Sequence, residues 1–253
     1  MQLIVLNLWL GKVFEPLREF VLKNAKETDF FCFQEMLSGH FNTADLLDNK
    51  YNMYAVFKNL LPDFRSDFTT MQDVYSSQNK LVSSSGLAIF IKKSINVEKF
   101  GSLFTYGERN RYFLSNNTSV MPSMVQHATF SFGEKKYTIA NFHGISVWPK
   151  VDSASRIKQS ENISGFLKTI NHSKILCGDF NLSPDTRSLA ILEEDMINVV
   201  KNQNISRTRS RLLKTKEDKI SDYILVSPDV IIKALAVPNV AVSDHLPLIF
   251  NFN

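Results

Sequence analysis

Ile175-Leu176-Cys177-Gly178-Asp179-Phe180-Asn181-Leu182-Ser183-Pro184 is an apolar run that ends abruptly in polar residues. Ile175, Leu176 and Cys177 are apolar in succession, the pattern of a strand covered on both faces. Gly178 permits a close backbone turn, and Ser183-Pro184 terminates the run. In extended backbone Asp179 and Asn181 leave the same face. A carboxylate and an amide side by side at a strand mouth can hold a water, a metal or a phosphate oxygen, and they can equally cap a turn. The surrounding chain decides between these readings.

Working outward, the same layout occurs twice. Asn141-Phe142-His143-Gly144 closes an apolar strand, Ser153 is placed to cap a helix, and Ile157, Ile163, Phe166, Leu167 and Ile170 give that helix an apolar side. The strand holding Asp179 follows. Near the N-terminus Leu3 to Leu8 reads as a strand ending at Asn7. Glu15-Pro16 opens a helix with Leu17, Phe20, Val21 and Ala25 on one face, and Phe30-Phe31-Cys32-Phe33 is a second buried strand ending at Gln34-Glu35. Asn7 and Glu35 are thus echoed by His143 and Asp179. Further strands are expected over 86–91, 125–132, 136–142, 222–226 and 246–250, with a helix over 187–196. Residues 45–51 close a short helix, 62–80 form a mobile flap and 101–119 a polar excursion in this reading. A strand-rich chain with helices after two or three strands fits two packed sheets with outer helices.

The chain has 253 residues, with 9 Gly, 8 Pro and no linker-like run, and 20 Phe supply much of its core volume. One domain spanning 1–253 is expected. No apolar stretch approaches the roughly 20 residues of a membrane span. The first residues lack a signal-peptide pattern, so a cytoplasmic protein is expected, although a secreted chain stripped of its leader would begin the same way. Cys32 and Cys177 both fall in buried strands and read as reduced core thiols. The net charge of +4 is unevenly spread: residues 201–219 carry seven basic and two acidic side chains, so the rest of the chain is slightly acidic. Such a segment is either a solvated loop or a track for an anionic partner.

The polar residues at strand ends are Asn7, Glu35, His143, Asp179, Asn181, Asp222, Asp244 and His245. Carboxylates, amides and imidazoles suit one or two Mg²⁺ or Mn²⁺ ions and do not suit a zinc thiolate site. Neither a Gly-rich phosphate loop nor a Gly-x-Ser-x-Gly elbow is present. Asn7-Leu8-Trp9, Phe33-Gln34-Glu35, Asn141-Phe142-His143, Gly178-Asp179-Phe180-Asn181, Ser221-Asp222-Tyr223 and Ser243-Asp244-His245, in this order, resemble the endonuclease/exonuclease/phosphatase (DNase-I-like) superfamily. The resemblance covers the whole chain and implies an α+β fold, a four-layer αββα sandwich of two mainly antiparallel sheets flanked by helices.

The resemblance also implies roles. Glu35 holds the metal, helped by Asn7 and Asp244. Asp179 orients or deprotonates the attacking water and Asn181 fixes it. His245, held by Asp222, stabilises the transition state, and His143 is similar to the second histidine of the DNase-I-like and sphingomyelinase-like branches. Many members carry a basic residue before the Asn-x-His motif, whereas residues 121–126 have none; Arg109 and Arg111 are the nearby substitutes. Arg207, Arg209 and Arg211 are expected to bind substrate. The implied activity is Mg-dependent hydrolysis of a phosphodiester in DNA or RNA, by a monomer with no stable membrane association. The alternatives are a phosphatase or phosphodiesterase for a phosphoinositide, sphingomyelin or nucleotide, and a catalytically dead binding module. The last predicts a lost key residue, and every core position is filled. Trp9 and Trp148 follow site strands and serve either for stacking or for packing.

Overall fold

A computed structural model describes residues 1–39, 49–75, 78–110, 121–213 and 219–253. The first half follows the expected alternation. Strand β1 (Gln2–Asn7) leads through a 3-10 turn (Trp9–Gly11) to helix α1 (Phe14–Asn24) and strand β2 (Phe30–Gly39). β1 and β2 pair in parallel, Leu3 opposite Phe30 through Asn7 opposite Gln34. Side chains on each strand alternate between two environments, as pleating requires. Leu3, Val5, Phe30 and Cys32 enter the core shared with the other sheet. Ile4, Leu6, Phe31 and Phe33 pack with Leu17 and Val21 of α1 and with Met53 and Phe57 of helix α2 (Met53–Leu60). Complete burial of each such side chain contributes about 1.5–3 kcal/mol.

Strands β3 (Phe64–Tyr75) and β4 (Leu81–Lys92) extend this sheet beyond β2. Strand β5 (Asn96–Tyr106) then crosses to the second sheet, followed by β6 (Ser123–Phe132) and β7 (Lys135–His143). Helix α3 (Ala154–Lys168) is capped by Ser153, whose Oγ accepts the Arg156 N–H at 3.2 Å. It delivers the chain to β8 (Ser173–Asp179), parallel to β7. Helix α4 (Arg187–Glu193), the two-residue strand β9 (Ile197–Asn198) and helix α5 (Val199–Asn202) precede β10 (Asp222–Val226), which runs antiparallel to β8. Strands β11 (Ile232–Ala236) and β12 (Leu248–Phe252) return to the first sheet beside β1.

The described strands therefore form two six-stranded mixed sheets, ordered β11-β12-β1-β2-β4-β3 and β5-β6-β7-β8-β10-β9. Each has a parallel pair at its centre and antiparallel neighbours outside, the α+β sandwich expected from the sequence. Among the described residues no helix is long and apolar enough to cross a membrane.

Three sequence-based expectations are corrected. The flap expected over 62–80 is in the main β3, a twelve-residue edge strand. It is largely polar and half-buried, and register shifts after Thr70 and Val74 break the alternation that would have revealed it. Residues 101–106 are the second half of β5 rather than an irregular excursion. The short helix expected at 45–51 lies partly outside the described residues; 49–52 form a 3-10 turn and the helix proper is α2. Cys32 and Cys177 are free and buried, as expected, and burial together with the neighbouring Cys177 thiol raises the Cys32 pKa.

Candidate active site

The parallel pairs place polar residues at one edge of the sandwich. In the second sheet the last residue of β7, the last of β8 and the first of β10 share one register, so His143, Asp179 and Asp222 stand side by side. Gly178 makes this approach possible: at φ 139° it lies against the Phe142 carbonyl, which a Cβ would meet at 1.9 Å. In the first sheet Asn7 ends β1, and a bulge between Phe33 and Met36 interrupts the pairing of β2 with β4. Glu35 sits in this bulge at φ 54°, a left-handed conformation uncommon for a glutamate. Bulges re-aim side chains beside active sites, and here the carboxylate turns toward the other sheet.

Hydrogen bonds draw the two edges together. Asn7 Nδ2 donates to Glu35 Oε1 at 3.2 Å and to Asp179 Oδ2 at 3.1 Å, while Asn7 Oδ1 accepts the Trp9 N–H at 2.9 Å. His143 Nε2 lies 3.9 Å from each of the same two carboxylate oxygens. Asn181, at φ 53°, folds back so that its backbone N–H donates to Asp179 Oδ1 at 3.0 Å. Its amide donates to Asp179 Oδ2 and to the Gly144 carbonyl, both at 3.3 Å. Deeper in the gap, Gln34 Nε2 donates to Asn141 Oδ1 at 2.6 Å, and Asn141 Nδ2 returns to the Phe33 and Ala88 carbonyls at 3.0 and 3.3 Å.

The loop before β12 supplies the other face. His245 Nδ1 is 2.7 Å from Asp222 Oδ1, and Nε2 is 3.5 Å from Asp179 Oδ2. Asp222 is itself fixed: Thr208 Oγ1 donates to its Oδ2 at 2.7 Å and Ser221 Oγ at 3.2 Å. Thr208 Oγ1 in turn accepts the backbone N–H of Ser221 and of Asp222. Ser243 Oγ donates to the Asn7 carbonyl at 2.7 Å, joining this loop to β1. Asp244 Oδ1 stands 3.8 Å from His245 Nε2, and Asp244 Oδ2 is 3.8 Å from Arg209 Nη1.

Charge is concentrated here away from water. Burial alone would push the Asp179 carboxyl up. The charges of His245, Lys150, Arg209 and His143 outweigh burial and hold it well below the usual carboxylate range. Burial would likewise lower the His245 pKa, but the Asp222 and Asp179 carboxylates raise it above the ordinary imidazole value. Asp179 is thus held as an ionised acceptor, and the imidazolium form of His245 is favoured over its ordinary balance.

The donor set fits a hard divalent cation. Glu35 and Asp179 carboxylates converge on the same two nitrogens, a repulsive pairing that a cation between them would relieve. The buried His143 has no hydrogen-bond partner on either ring nitrogen among the described residues, although Nε2 faces this gap. Ligand atoms of Asp179, Asp222 and His245 also lie within 4.8 Å of one another. There, however, the imidazole is held between two carboxylates with Nδ1 committed to Asp222, which is the geometry of an oriented proton donor. The gap between the Glu35 and Asp179 carboxylates is the better cation cradle. Asn7 would offer its amide oxygen only with the amide reversed.

The eight strand-end residues expected from the sequence therefore meet in one place. Of the arginines expected to bind substrate, Arg209 joins them, 3.8 Å from Asp244, and Arg207, Arg211 and Arg109 do not. Arg209 is buried (8% exposed) and forms an isolated β-bridge with His245. Arg207 and Arg211 are exposed and line an open groove of about 420 Å³ with Asn204, Asn239 and Leu246. Arg109 is bound to Asp73 at 2.5 Å on the β3–β4 side, and Arg111 lies outside the described residues. Thr208 and Lys150 stood in no sequence motif.

The model of the endonuclease/exonuclease/phosphatase family matches residues 5–245 of the chain. No curated protein sequence matches it significantly. Among solved structures, the chain is similar to an endonuclease/exonuclease/phosphatase from Bacteroides vulgatus, at 16% identity and TM-score 0.73 over 100% of this chain and 98% of that one. It is similar to a Bacteroides thetaiotaomicron mannosyl-6-phosphatase at 15% identity and TM-score 0.73, covering 100% and 99%. D. rerio TDP2 complexed with a single-strand DNA product gives 16% identity and TM-score 0.70, covering 100% and 98%. At these identities the likeness shows the fold.

Proposed function

Since the chain belongs to the endonuclease/exonuclease/phosphatase family, whose members are phosphoesterase hydrolases, we propose that it is a divalent-metal-dependent phosphodiesterase acting on DNA or RNA. One observation carries the hydrolytic reading: an ionised Asp179, an oriented His245–Asp222 pair and the Glu35 carboxylate converge at one sheet edge. Glu35, facing Asp179 across that gap, is the residue that would hold Mg²⁺ or Mn²⁺, with Asn7 beside it. A bound cation supplies Lewis-acid polarisation of a phosphoryl oxygen.

The chain's own groups do the rest. Asp179 accepts a hydrogen from the attacking water and points its lone pair at phosphorus, and Asn181 holds Asp179 in that orientation. With its pKa held low, Asp179 acts chiefly by aligning the water. His245, its imidazolium form favoured by its two carboxylate neighbours, donates to the oxygen on which negative charge develops. Asp222 fixes the ring so that Nε2 faces the site. His143 offers its free ring nitrogen to a second phosphoryl oxygen.

The groove beside Leu246, lined by Arg207 and Arg211, supports the nucleic-acid substrate, since a positive track adjoining the site suits a polyanionic backbone. A phosphorylated small molecule is the second reading; the depth of Asp179 and His245 favours it, because a small phosphate reaches a recessed site more readily than a duplex does. The test incubates wild type and Asp179→Asn with Mg²⁺ and a panel of single- and double-stranded DNA, RNA, nucleotides, sugar phosphates and inositol phosphates. Metal-dependent cleavage of nucleic acid, lost in Asp179→Asn and in chelator, is the expected result. Release of phosphate from small esters alone selects the second reading. No turnover and no Mg²⁺ binding sinks both.

A further inference from the structure

The loop from Gly144 to Val151, between β7 and α3, is built as a rigid element at the rim of the site. The buried Arg156 gathers its alternate carbonyls: Nη1 donates to Pro149 at 2.7 Å and Val151 at 2.6 Å, and Nη2 to Ile145 at 3.3 Å and also to Val147. Gln159 Oε1 accepts the Ile145 N–H at 2.9 Å. Both ends of the loop rest on the Asp179 turn: Asn181 donates to the Gly144 carbonyl, and the Ser183 N–H donates to the Lys150 carbonyl at 2.9 Å. A guanidinium spent on four carbonyls of one loop fixes that loop's shape, which is how binding elements are pre-organised.

Two side chains leave this frame in opposite senses. Lys150 turns inward and is only 6% exposed, a rare state for a lysine. Its charge acts on Asp179 more strongly than those of Arg209 and His143. Trp148 turns outward and is 66% exposed, so it packs in no core. The stretch 121–126, where the family resemblance implies a basic residue, has none, and Arg109 is engaged by Asp73. Lys150 is a buried cation beside the Asp179 turn that belongs to neither of those places.

We propose that this loop recognises the substrate: Lys150 takes a non-bridging oxygen of the scissile phosphate, and the Trp148 indole stacks on a nucleobase carried next to that phosphate. The inference rests on the phosphoesterase reading and deepens it, because it selects a base-bearing phosphate over a sugar or inositol phosphate. A lysine grips phosphate as a point charge, and an exposed, held indole is a stacking platform that tolerates any base.

The test measures binding by calorimetry in Mg²⁺, with inorganic phosphate and thymidine 5′-monophosphate as probes. Wild type is expected to bind the nucleotide more tightly than phosphate. Lys150→Met should weaken both by about tenfold or more, as loss of a charge-assisted contact implies, while Lys150→Arg keeps most of the affinity. Lys150→Gln replaces Lys150→Met if the latter does not fold. Trp148→Ala should leave phosphate affinity unchanged and remove about a tenfold preference for the nucleotide, within the range of base–aromatic stacking. Folded Lys150→Met binding phosphate like wild type overturns the lysine assignment; Trp148→Ala with an undiminished nucleotide preference overturns the stacking. Wild type that binds neither probe and hydrolyses no phosphate ester refutes the phosphoesterase reading itself, a distinct result.

Discussion

Asp222 orients the His245 ring, and Asp222 is oriented in turn by Thr208 and Ser221, so the proposed donor role of His245 depends on all three. Removing the Asp222 charge or the Thr208 hydroxyl should therefore give graded losses. Asp222→Asn keeps the shape but loses the carboxylate that favours the cationic form of His245, and kcat is expected to fall about 10²- to 10⁴-fold. Thr208→Val removes one of two hydroxyl donors to Asp222 and should cost about tenfold, as losses of an orienting partner do. Thr208→Ser should retain activity. Steady-state kinetics on the three variants checks the order, and a Thr208→Val enzyme as active as wild type would remove Thr208 from the relay. The strand-end residues of the site were legible in the sequence, because each lies where an apolar strand meets polar residues, as Asp179 and His143 do. Thr208 and Lys150 were not. They come from loops without periodicity, and their roles exist only through partners 14 and 29 residues away, Asp222 and Asp179.

Among the elements, the edge strands and their connections carried the least signal. β1, β2, β7 and β8 are apolar on both faces and announce themselves, whereas β3 and β5 are open on one side and interrupted by register shifts. These weakly marked strands are joined by a polar clamp. Asp73 on β3 accepts from Ser84 of β4 at 2.9 Å and, beyond the end of β5, from Asn110 at 2.6 Å and Arg109 at 2.5 Å. Burial would raise the Asp73 pKa, but these three donors lower it below the usual value. A carboxylate whose folded pKa is depressed stabilises the fold above its unfolded pKa of about 3.9, and that stabilisation is lost as pH falls through the folded value. Asp73→Asn is thus expected to lose about 1–2 kcal/mol at pH 7, the scale of hydrogen bonds to a charged group. The gap to wild type should narrow below about pH 4. Urea midpoints at pH 7 and pH 3 decide the matter, and equal midpoints at pH 7 would show that the clamp contributes nothing. The Gln34–Asn141 contact makes a second bridge between the sheets, buried at its centre. Asn141→Ala strands the Gln34 amide and two carbonyls, and should cost about 2–3 kcal/mol in the same measurement, by the penalty for unpaired buried groups.

At the scale of the whole molecule, two strand–helix–strand halves are placed so that their polar strand ends face each other across the sandwich. The arrangement brings Glu35, Asp179, Asp222 and Asp244 to one edge, with Asn7, His143, His245, Lys150 and Arg209 set among them. The apolar alternation that closes the core, Leu3 and Val5 on one side and Ile4 and Leu6 on the other, leaves no freedom in which way these ends point. Folding therefore assembles clustered carboxylates at a cost, and a divalent cation that binds the folded site should return part of it. At a Mg²⁺ concentration 100 times its dissociation constant the linkage is about 2.7 kcal/mol. For a chain of this length that corresponds to a rise in Tm of about 5–10 °C. Glu35→Gln should abolish most of this rise while leaving the chelator-treated Tm equal to or above that of wild type, because one repelling charge is gone. Calorimetric scans of both proteins in Mg²⁺, in chelator and in KCl of matched ionic strength separate specific binding from screening. A wild-type Tm that responds to KCl as strongly as to Mg²⁺ would mean that the cradle between the sheets holds no specific cation. The carboxylates would then have to be accounted for by the histidine, lysine and arginine charges alone.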